Sequence, residues 1–342
     1  MFSYLAPSLG IDLGTANTLV YMKDEGIIVR EPSVVAMKNN RKEILAVGEE
    51  ARRMIGRTPG GIVAVRPLKD GVIADFATTE IMLKYFIRKA VPQSLIRRSP
   101  RLVICVPCGI TEVEKRAVEE AARSAGAREV LLLEEPMAAA IGAGLDVTQA
   151  KGCMVVDIGG GTSEVAVISL SGIVVSRSLR IGGNHMDDAI MKQIKKIHGL
   201  IVGESTAEQI KISLGYVMDR PKEQTMEVRG REASSGLPRS VTVDSQSINE
   251  ALLEPVQAIV DTVKNVLEQT PPELAADIIN EGIVMTGGGS LLHGLNRMIA
   301  KATGMPVRRA KDPIDCVAIG AGLALETMEP SIFEHELGVE PG

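Results

Sequence analysis

Two short motifs in this sequence combine residue types that bind phosphate. Asp-Leu-Gly-Thr stands at residues 12–15, and Asp-Ile-Gly-Gly-Gly-Thr stands at residues 157–162. Each motif follows an apolar run typical of a buried strand, and its glycines form a turn in which backbone N–H groups and a hydroxyl can close around a phosphate. Two copies predict a pair of facing phosphate-binding turns, one from each half of a duplicated molecule.

The two turns offer different ligand groups. Backbone N–H and hydroxyl groups of the first turn come from Gly14, Thr15, Ala16 and Asn17. In the second turn, room for a polyanion is left by Gly159, Gly160 and Gly161. The first motif alone would fit an ordinary tight turn. Its repetition favours phosphate binding.

Each turn also carries one acid that can hold a divalent cation. Asp12 can bind a hydrated Mg²⁺ ion through water, and Asp157 offers a second carboxylate to the same ion. A divalent ion between phosphates and two acids is an arrangement used in phosphoryl transfer. We therefore predict that both acids are magnesium ligands through water, and that Asp157 is also a catalytic residue.

Two neighbouring acids are candidates for orienting an attacking water molecule. Glu135 follows the apolar run 130–133 and precedes a proline, which places it at the end of a strand, where α/β active sites lie. We favour Glu135 over Glu134. The alternative is that both acids only supply negative charge to a helix N-terminus. Thr162 can hydrogen bond to the water or the terminal phosphate, or serve in phosphate binding alone.

The elements that carry these residues follow from the pattern around them. Each phosphate motif is followed by two β-rich runs, at 18–21 and 26–29 and again at 165–168 and 172–175. Strand, turn, strand, turn, strand predicts a meander in each half.

A helix is predicted over 112–125, with Thr111 as its N-cap and Glu114 completing a capping box. Its predicted apolar face consists of Val113, Ala117, Val118, Ala121 and Ala125. The strand 130–133 follows, which completes a strand-helix-strand unit of the α/β kind.

A six-residue phrase, Ala-Ile-Gly-Ala-Gly-Leu, occurs at 140–145 and again at 318–323, each time after an acid-proline pair. Small residues at helical spacing allow close helix packing. We therefore expect an equivalent helix from each half, at the interface between the halves. The alternative is two unrelated packing helices.

A weaker signal lies in the second half. Glu208 and Lys211, three residues apart on a predicted helix, are typical of a surface ion pair. Alternatively, they flank a purine and a ribose together with Gly288 and Gly289, which form a third glycine turn after the strand 283–286.

Composition narrows the class of protein. The chain has 342 residues, with 38 basic and 43 acidic side chains and no long basic block, which argues against nucleic acid as the main partner. It lacks an apolar stretch long enough to cross a membrane, and its four cysteines are too scattered for a disulfide framework. We expect a cytoplasmic protein.

The motifs, taken in order, resemble the actin, sugar-kinase and heat-shock-chaperone ATPase superfamily. They are the two phosphate motifs, Glu-Pro-Met-Ala-Ala-Ala at 135–140 and Thr-Gly-Gly-Gly-Ser at 286–290, and they extend over the whole chain. Within this superfamily the chain closely resembles the bacterial actins that determine rod shape. The phrases at 31–36, 69–76 and 270–278 distinguish this group from its enzymatic relatives.

The resemblance implies an actin-like, ribonuclease H-like α/β fold: a duplicated two-domain ATPase with a central nucleotide cleft and two small peripheral subdomains. The first domain would comprise residues 1–145 and 318–342, with its subdomain at about 33–65. The second would comprise residues 146–317, with its subdomain at about 181–244.

The resemblance further implies ATP bound with Mg²⁺, slow hydrolysis coupled to polymerisation, and filaments of identical copies on the inner face of the cell membrane that direct cell-wall synthesis. It supports Glu135 and Thr162 in hydrolysis. The nucleotide contacts that it implies in the second half come from Glu204, Ala207, Glu208, Gln209, Ile210, Lys211, Gly287, Gly288, Gly289, Ser290 and Leu291.

Membrane contact is assigned to a proline-bounded loop over 91–101. Leu95 and Ile96 there stand beside three arginines, a combination suited to an anionic membrane surface. The alternative is that both side chains cap the local core. Two other functions within the superfamily stay open, a small-molecule kinase and a chaperone-type ATPase.

Overall fold

The computed structural model describes residues 7–39, 43–91, 99–219 and 222–327. The described strands are β1 (Ser8–Leu13), β2 (Asn17–Met22), β3 (Gly26–Pro32), β4 (Val35–Lys38), β5 (Ile44–Val47), β6 (Ile62–Val65), β7 (Leu68–Lys69), β8 (Val72–Ile73), β9 (Arg101–Val106), β10 (Glu129–Glu134), β11 (Cys153–Ile158), β12 (Ser163–Ser169), β13 (Gly172–Leu179), β14 (Leu200–Ile201), β15 (Thr225–Glu232), β16 (Pro238–Asp244), β17 (Ile283–Thr286) and β18 (Val307–Arg309). The described α-helices are α1 (Glu49–Arg52), α2 (Phe76–Ala90), α3 (Glu112–Ser124), α4 (Glu135–Gly142), α5 (Gly183–His198), α6 (Glu204–Leu214), α7 (Ser245–Gln269), α8 (Pro272–Glu281), α9 (Leu295–Thr303) and α10 (Cys316–Thr327).

The chain forms two compact units. One contains the residues up to Asp146 together with those from Asp315 onward, and the other is Val147–Ile314. The limits of the small subdomains stay a prediction. Each segment that is expected to belong to a subdomain contains a three-stranded sheet. The strand order is β5-β4-β6 in the first unit and β14-β15-β16 in the second.

Each unit is built on a five-stranded sheet with the same strand order and directions. In the first unit the order is β10-β9-β1-β2-β3, and in the second it is β18-β17-β11-β12-β13. The first three strands in chain order, β1 to β3 and β11 to β13, are antiparallel neighbours, and the two later strands of each sheet run parallel to β1 or β11. The predicted meanders and the duplication are confirmed.

Helix α3 begins as the sequence predicts, and most of its predicted apolar face is confirmed, because Val118, Ala121 and Ala125 are buried. Thr111 accepts a hydrogen bond from the Glu114 N–H, and the Glu114 carboxylate accepts one from the Thr111 N–H, which makes a full capping box. Val113, however, is 77 % exposed, so its assignment to the apolar face is wrong. It precedes the buried Ala122 by nine residues, about 2.5 helical turns, and therefore projects from the opposite side.

The two copies of the six-residue phrase lie on α4 and α10, which pack against each other within the first unit. Each is the helix that follows the last strand of its sheet in chain order. A Cβ atom at Gly142 would lie 1.8 Å from the Cys316 carbonyl oxygen, and one at Gly320 would lie 1.8 Å from the Ala138 carbonyl oxygen. Glycine at both positions is therefore a condition of this close packing.

We expect Gly320→Ala to lower the free energy of unfolding by about 1–3 kcal/mol, because the two helices must move apart to admit one methyl group. Thermal unfolding of the purified variant measures this change. Gly61→Ala is the control, because a Cβ there meets no atom within 4 Å. Equal melting temperatures for both variants would contradict the packing interpretation.

Candidate functional site

The first phosphate motif is a turn between β1 and β2 that is held by Ser33. The Ser33 hydroxyl donates to the Gly14 carbonyl at 2.6 Å, and the Ser33 N–H donates to the Ala16 carbonyl at 3.0 Å. In a trans peptide the C=O and the following N–H point in opposite directions. Fixing the Gly14 carbonyl therefore aims the Thr15 N–H away from Ser33.

A second contact holds the Thr15 side chain. Its Oγ1 accepts a hydrogen bond from the Gly71 N–H at 3.0 Å. Gly71 and Asp70 have φ values of 80° and 49° and form the two-residue loop between β7 and β8, which is the geometry of a type I′ hairpin. Two family phrases, 31–36 and 69–76, thus brace the first turn, a role that sequence reasoning missed.

The second phosphate motif lies between β11 and β12 and is held by the first turn of α5. The Gly183 N–H donates to the Gly159 carbonyl at 2.9 Å, and the Asn184 N–H donates to the Gly160 carbonyl at 2.8 Å. These bonds fix two successive peptide planes, so the N–H groups of Gly160 and Gly161 both point away from α5. Successive N–H groups with one direction form a concave anion-binding site.

Gly182 allows this approach of α5 to the turn. A Cβ atom at Gly182 would lie 2.7 Å from both the Gly159 and the Gly160 carbonyl oxygens. No larger residue fits without moving the turn, although the sequence alone did not single out this glycine.

Asp157 lies at the end of β11, beside Thr286 of β17 in the parallel register. Its side chain is buried, and its Oδ1 accepts a hydrogen bond from Thr286 Oγ1 at 2.6 Å. Burial raises the pKa of Asp157 to about 6, and the bond from Thr286 opposes this rise. The hydrogen bond from Thr286 therefore offsets only part of the cost of burying the ionised carboxylate. This imbalance fits a residue that faces a cation.

The raised pKa of Asp157 predicts a pH-dependent stability. The folded protein favours the neutral form of Asp157. The contribution of this acid to the free energy of unfolding is therefore fully present below its unfolded pKa of about 3.9 and is lost as the pH rises through about 6. We expect Asp157→Asn to raise the free energy of unfolding by about 2–3 kcal/mol at pH 7.5 and by little at pH 4. Urea unfolding without nucleotide at both pH values measures this, and a pH-independent change would contradict it.

The third glycine turn packs on the second phosphate motif. Gly287 has a φ of 75°, and a Cβ there would lie 2.3 Å from the Ile158 carbonyl oxygen. A Cβ at Gly289 would lie 2.2 Å from the Ile158 side chain, whereas Gly288 has open space around it. Ser290 Oγ donates to the Gly287 carbonyl at 2.7 Å, and Leu291 is 46 % exposed. Only part of this predicted site is therefore free to meet a ligand.

The predicted nucleoside segment lies on α6. Ala207 and Ile210 are fully buried, so their side chains belong to the core of the second unit. Glu204 and Gln209 are exposed, and Glu208 is half-buried. The predicted segment therefore presents its acidic and amide side chains to the surface.

Lys211 pairs with Asp187 of α5, a partner that its local spacing does not predict. Its Nζ lies 2.9 Å from Asp187 Oδ1 and donates to the Gly183 carbonyl at 2.8 Å, both on α5. Burial raises the pKa of Asp187 to about 6, and the charge of Lys211 opposes this rise.

The acids at the start of α4 differ in their surroundings. Glu135 is the first residue of the helix, directly after β10, and is 8 % exposed. Glu134 ends the strand and is exposed. The buried acid is the better candidate for a fixed catalytic orientation. Asn17 is exposed and Thr162 is buried, each in its own turn.

The predicted membrane contacts, Leu95 and Ile96, lie outside the described residues. Among residues 7–39, 43–91, 99–219 and 222–327, the helices include none that is long and apolar enough to cross a membrane.

Duplicated five-stranded sheets, each with a glycine turn after its first strand, define the actin-like class of nucleotide-binding folds. The sequence matches the family described as MreB/Mbl protein over residues 6–332. It is 55 % identical over 325 residues to the cell shape-determining protein MreB of Escherichia coli K12, with 94 % of each chain covered. The chain belongs to the MreB/Mbl family.

Solved structures agree with this assignment. The fold is similar to that of MreB5 of Spiroplasma citri, solved with AMPPNP and with ADP, with a TM-score of 0.89, 36 % identity, and 97 % and 99 % of the two chains covered. The double helical filament of MamK matches with a TM-score of 0.81 over 94 % and 99 % of the chains, and at 24 % identity it shows the fold alone.

Proposed function

We propose that this protein is an ATP-binding, slowly ATP-hydrolysing cytoskeletal protein whose filaments direct cell-wall synthesis and rod shape. The observation that carries the proposal is the second phosphate turn, in which two carbonyls are fixed by α5 so that two successive N–H groups point outward. Two comparisons support the proposal. The Escherichia coli relative is named as cell shape-determining, and the Spiroplasma citri structures contain AMPPNP and ADP. The family favours this function over the kinase and chaperone alternatives.

In this proposal the ATP phosphates bind to the N–H groups and hydroxyls of both glycine turns. The nucleoside binds to the 204–211 segment and to the 287–291 turn. Glu135 orients the attacking water, and Thr162 hydrogen bonds to the water or to the terminal phosphate. The preformed N–H donors stabilise the negative charge that develops on the phosphoryl oxygens, and the fixed acid orients the water. Such positioning and electrostatic stabilisation are the main protein contribution to phosphoryl transfer.

Magnesium fits the residues present. Asp157 supplies hard oxygen ligands, and its desolvated carboxylate gains from a nearby cation. The described ranges contain no group of three or more His, Cys, Asp or Glu side chains placed to bind a metal directly. We therefore propose that Asp12 and Asp157 hold Mg²⁺ through its water molecules. The ion supplies neutralisation of phosphate charge when it is bound.

Equilibrium binding of a fluorescent ATP analogue, with Mg²⁺ and with EDTA, tests the nucleotide part of the proposal. We expect saturable binding that ATP and ADP displace and that EDTA weakens. A folded protein that binds no purine nucleotide at millimolar concentration would contradict it.

We propose a peripheral position on the inner face of the cell membrane, with wall-synthesis and shape proteins as partners. Burial of Leu95 and Ile96 in the bilayer contributes about 1.5–3 kcal/mol each. Each nearby arginine contributes about 1 kcal/mol on anionic lipid. Immobilisation costs roughly 4 kcal/mol or more, so a monomer binds weakly, whereas a filament repeats the loop and binds firmly.

Replacing both Leu95 and Ile96 by serine is therefore expected to abolish co-sedimentation with phosphatidylglycerol liposomes, because the filament loses its repeated apolar contact. ATP binding should remain at the wild-type level and serves as the control. Co-sedimentation that persists in the double variant would reject the loop as the membrane contact.

A further inference from the structure

A groove of about 690 Å³ lies between α2 and β5 in the first unit. Its apolar wall is formed by Ile44, Val47, Ile81 and Tyr85. Ile44 is 43 % exposed and Tyr85 is 39 % exposed, so the wall presents large apolar side chains that the described residues leave uncovered. A concave apolar surface with a few polar groups beside it is typical of a binding site.

Three cations line the same groove, and two of them are available to a ligand. Lys89 is paired with Glu31 of β3. Lys84 and Arg88 are exposed and one helical turn apart on α2, and neither side chain has a hydrogen bond or ion pair with another described residue. The groove therefore offers two unpaired positive charges beside an apolar wall, which suits a segment that combines carboxylates with bulky apolar side chains.

The chain itself contains a segment of this composition. Residues 328–342, here called the docking segment, lie outside the described residues and contain four glutamates and no lysine or arginine. The six residues 332–337 include three bulky apolar side chains and two acids, namely Ile332, Phe333, Leu337, Glu334 and Glu336. The charge of the segment is therefore complementary to that of the groove.

The docking segment follows α10, which packs on the same strands as α2. Both helices contact β2 and β3, and β3 is the edge strand of the sheet. Gly10 of β1 meets α10, whereas its neighbours Leu9 and Ile11 belong to the core cluster that contains the buried residues of α2. Because successive residues of a strand point to opposite faces, the two helices cover opposite faces of the sheet.

The length of the docking segment is sufficient to pass around β3. Packed layers lie about 10 Å apart, so the path from α10 around the sheet edge to α2 is about 20–30 Å. Residues 332–337 stand five to ten positions after Thr327. An extended chain covers about 16–35 Å over that number of residues, which brings the apolar and acidic side chains to the groove.

We propose that the docking segment binds, within its own chain, to the groove between α2 and β5. Its apolar side chains cover the wall at Ile44 and Tyr85, and its glutamates pair with Lys84 and Arg88. The contact requires neither nucleotide nor membrane, so it is independent of the proposed ATP function.

A single fluorescent probe tests the docking. The chain contains no tryptophan, so Phe333→Trp introduces the only indole. Without nucleotide, we expect its emission at shorter wavelength than in the urea-unfolded protein, because the docked indole is removed from water. Lys84→Glu combined with Arg88→Glu should move the emission to that of the unfolded chain and lower the docking equilibrium constant by about tenfold or more, since two attractions become repulsions.

Matched variants separate docking from general effects of charge. Lys192 and Lys196 are exposed and have the same i, i+4 spacing on α5, so Lys192→Glu combined with Lys196→Glu should leave the emission unchanged. Ile44→Ser changes only the apolar wall and should also move the emission to longer wavelength. Circular dichroism establishes that each variant is folded.

Carbodiimide cross-linking locates the contact, because this reagent joins a carboxylate to a lysine amine that touches it. Mass spectrometry of the monomer should identify an amide bond between Lys84 and Glu334 or Glu336. Lys84→Arg should abolish this bond while the probe keeps its short-wavelength emission, since the guanidinium retains the charge.

Four results would overturn the proposal. The first is an indole in the folded protein that emits as in the unfolded chain. The second is a short-wavelength emission that the Lys84 and Arg88 double variant leaves unchanged. The third is docking that is lost on dilution, with cross-links confined to dimers, which would assign the segment to a second copy. The fourth is a double variant that loses only co-sedimentation with phosphatidylglycerol liposomes, which would make the groove a lipid site.

Discussion

Replacing Glu135 by alanine is expected to slow ATP hydrolysis by about 10²–10⁴-fold while ATP binding is retained. Glu135 begins α4 at the point where β10 ends, and its side chain is 8 % exposed. A buried carboxylate in a fixed position can hold an attacking water, whereas it adds little to the affinity for a polyanion. Phosphate release under single-turnover conditions, beside equilibrium ATP binding, separates the two effects.

The neighbouring acid supplies a matched control. Glu134 is exposed at the end of β10, so Glu134→Ala should change the hydrolysis rate by less than about twofold. Glu135→Gln keeps the size of the side chain and removes its charge, and it should lose hydrolysis as fully as the alanine variant. Loss of hydrolysis in the Glu134 variant alone would reverse the assignment.

Gly182→Ala is expected to weaken ATP binding by about 10- to 100-fold, because the added methyl group must push the second phosphate turn away from α5. The Cβ would lie 2.7 Å from two carbonyl oxygens, both of which α5 holds by backbone hydrogen bonds. Displacing these carbonyls turns the two N–H groups out of their common direction. Titration with a fluorescent ATP analogue measures the change.

Gly60→Ala is the control for the added methyl group, since a Cβ there meets no atom within 4 Å. It should bind ATP as the wild type does. Circular dichroism establishes that both variants are folded. Wild-type affinity in a folded Gly182→Ala protein would mean that the orientation of these peptide planes does not govern phosphate binding.

Features that depend on a few adjacent residues could be predicted from the sequence. The capping box at Thr111 and Glu114, the meanders and the glycine turns each follow from local backbone preferences, and the structure confirms them. The wrong prediction for Val113 also comes from local spacing. Residues at i and i+4 share a helix face, but this spacing does not reveal which face neighbouring elements will cover.

The contacts that shape the turns could not be predicted locally. Ser33 holds Gly14 from 19 residues away, and Thr286 reaches Asp157 from 129 residues away. Their partners are chosen by sheet register and helix packing, which short-range patterns do not specify. Lys211 is the clearest case, since local spacing favours Glu208 while the fold brings Asp187 to it.

The family phrases gain a physical explanation from the same long-range contacts. The 69–76 phrase first forms a hairpin whose Gly71 N–H binds Thr15. It then supplies Asp75, which caps the N-terminus of α2. In the 270–278 phrase, Asp277 accepts a hydrogen bond from the Gly152 N–H at 2.8 Å, which ties α8 to the start of β11. Ser33 and Gly71 thus hold the first glycine turn, whereas Asp75 and Asp277 hold α2 and the start of β11.

The most direct test of the account is sedimentation of the purified protein with ATP and Mg²⁺, with and without phosphatidylglycerol liposomes, with phosphate release followed in the same samples. We predict nucleotide-dependent pelleting that increases with liposomes, together with phosphate release that Glu135→Ala abolishes. A protein that binds ATP but stays monomeric under every condition would contradict the assignment as a membrane-associated, ATP-dependent filament.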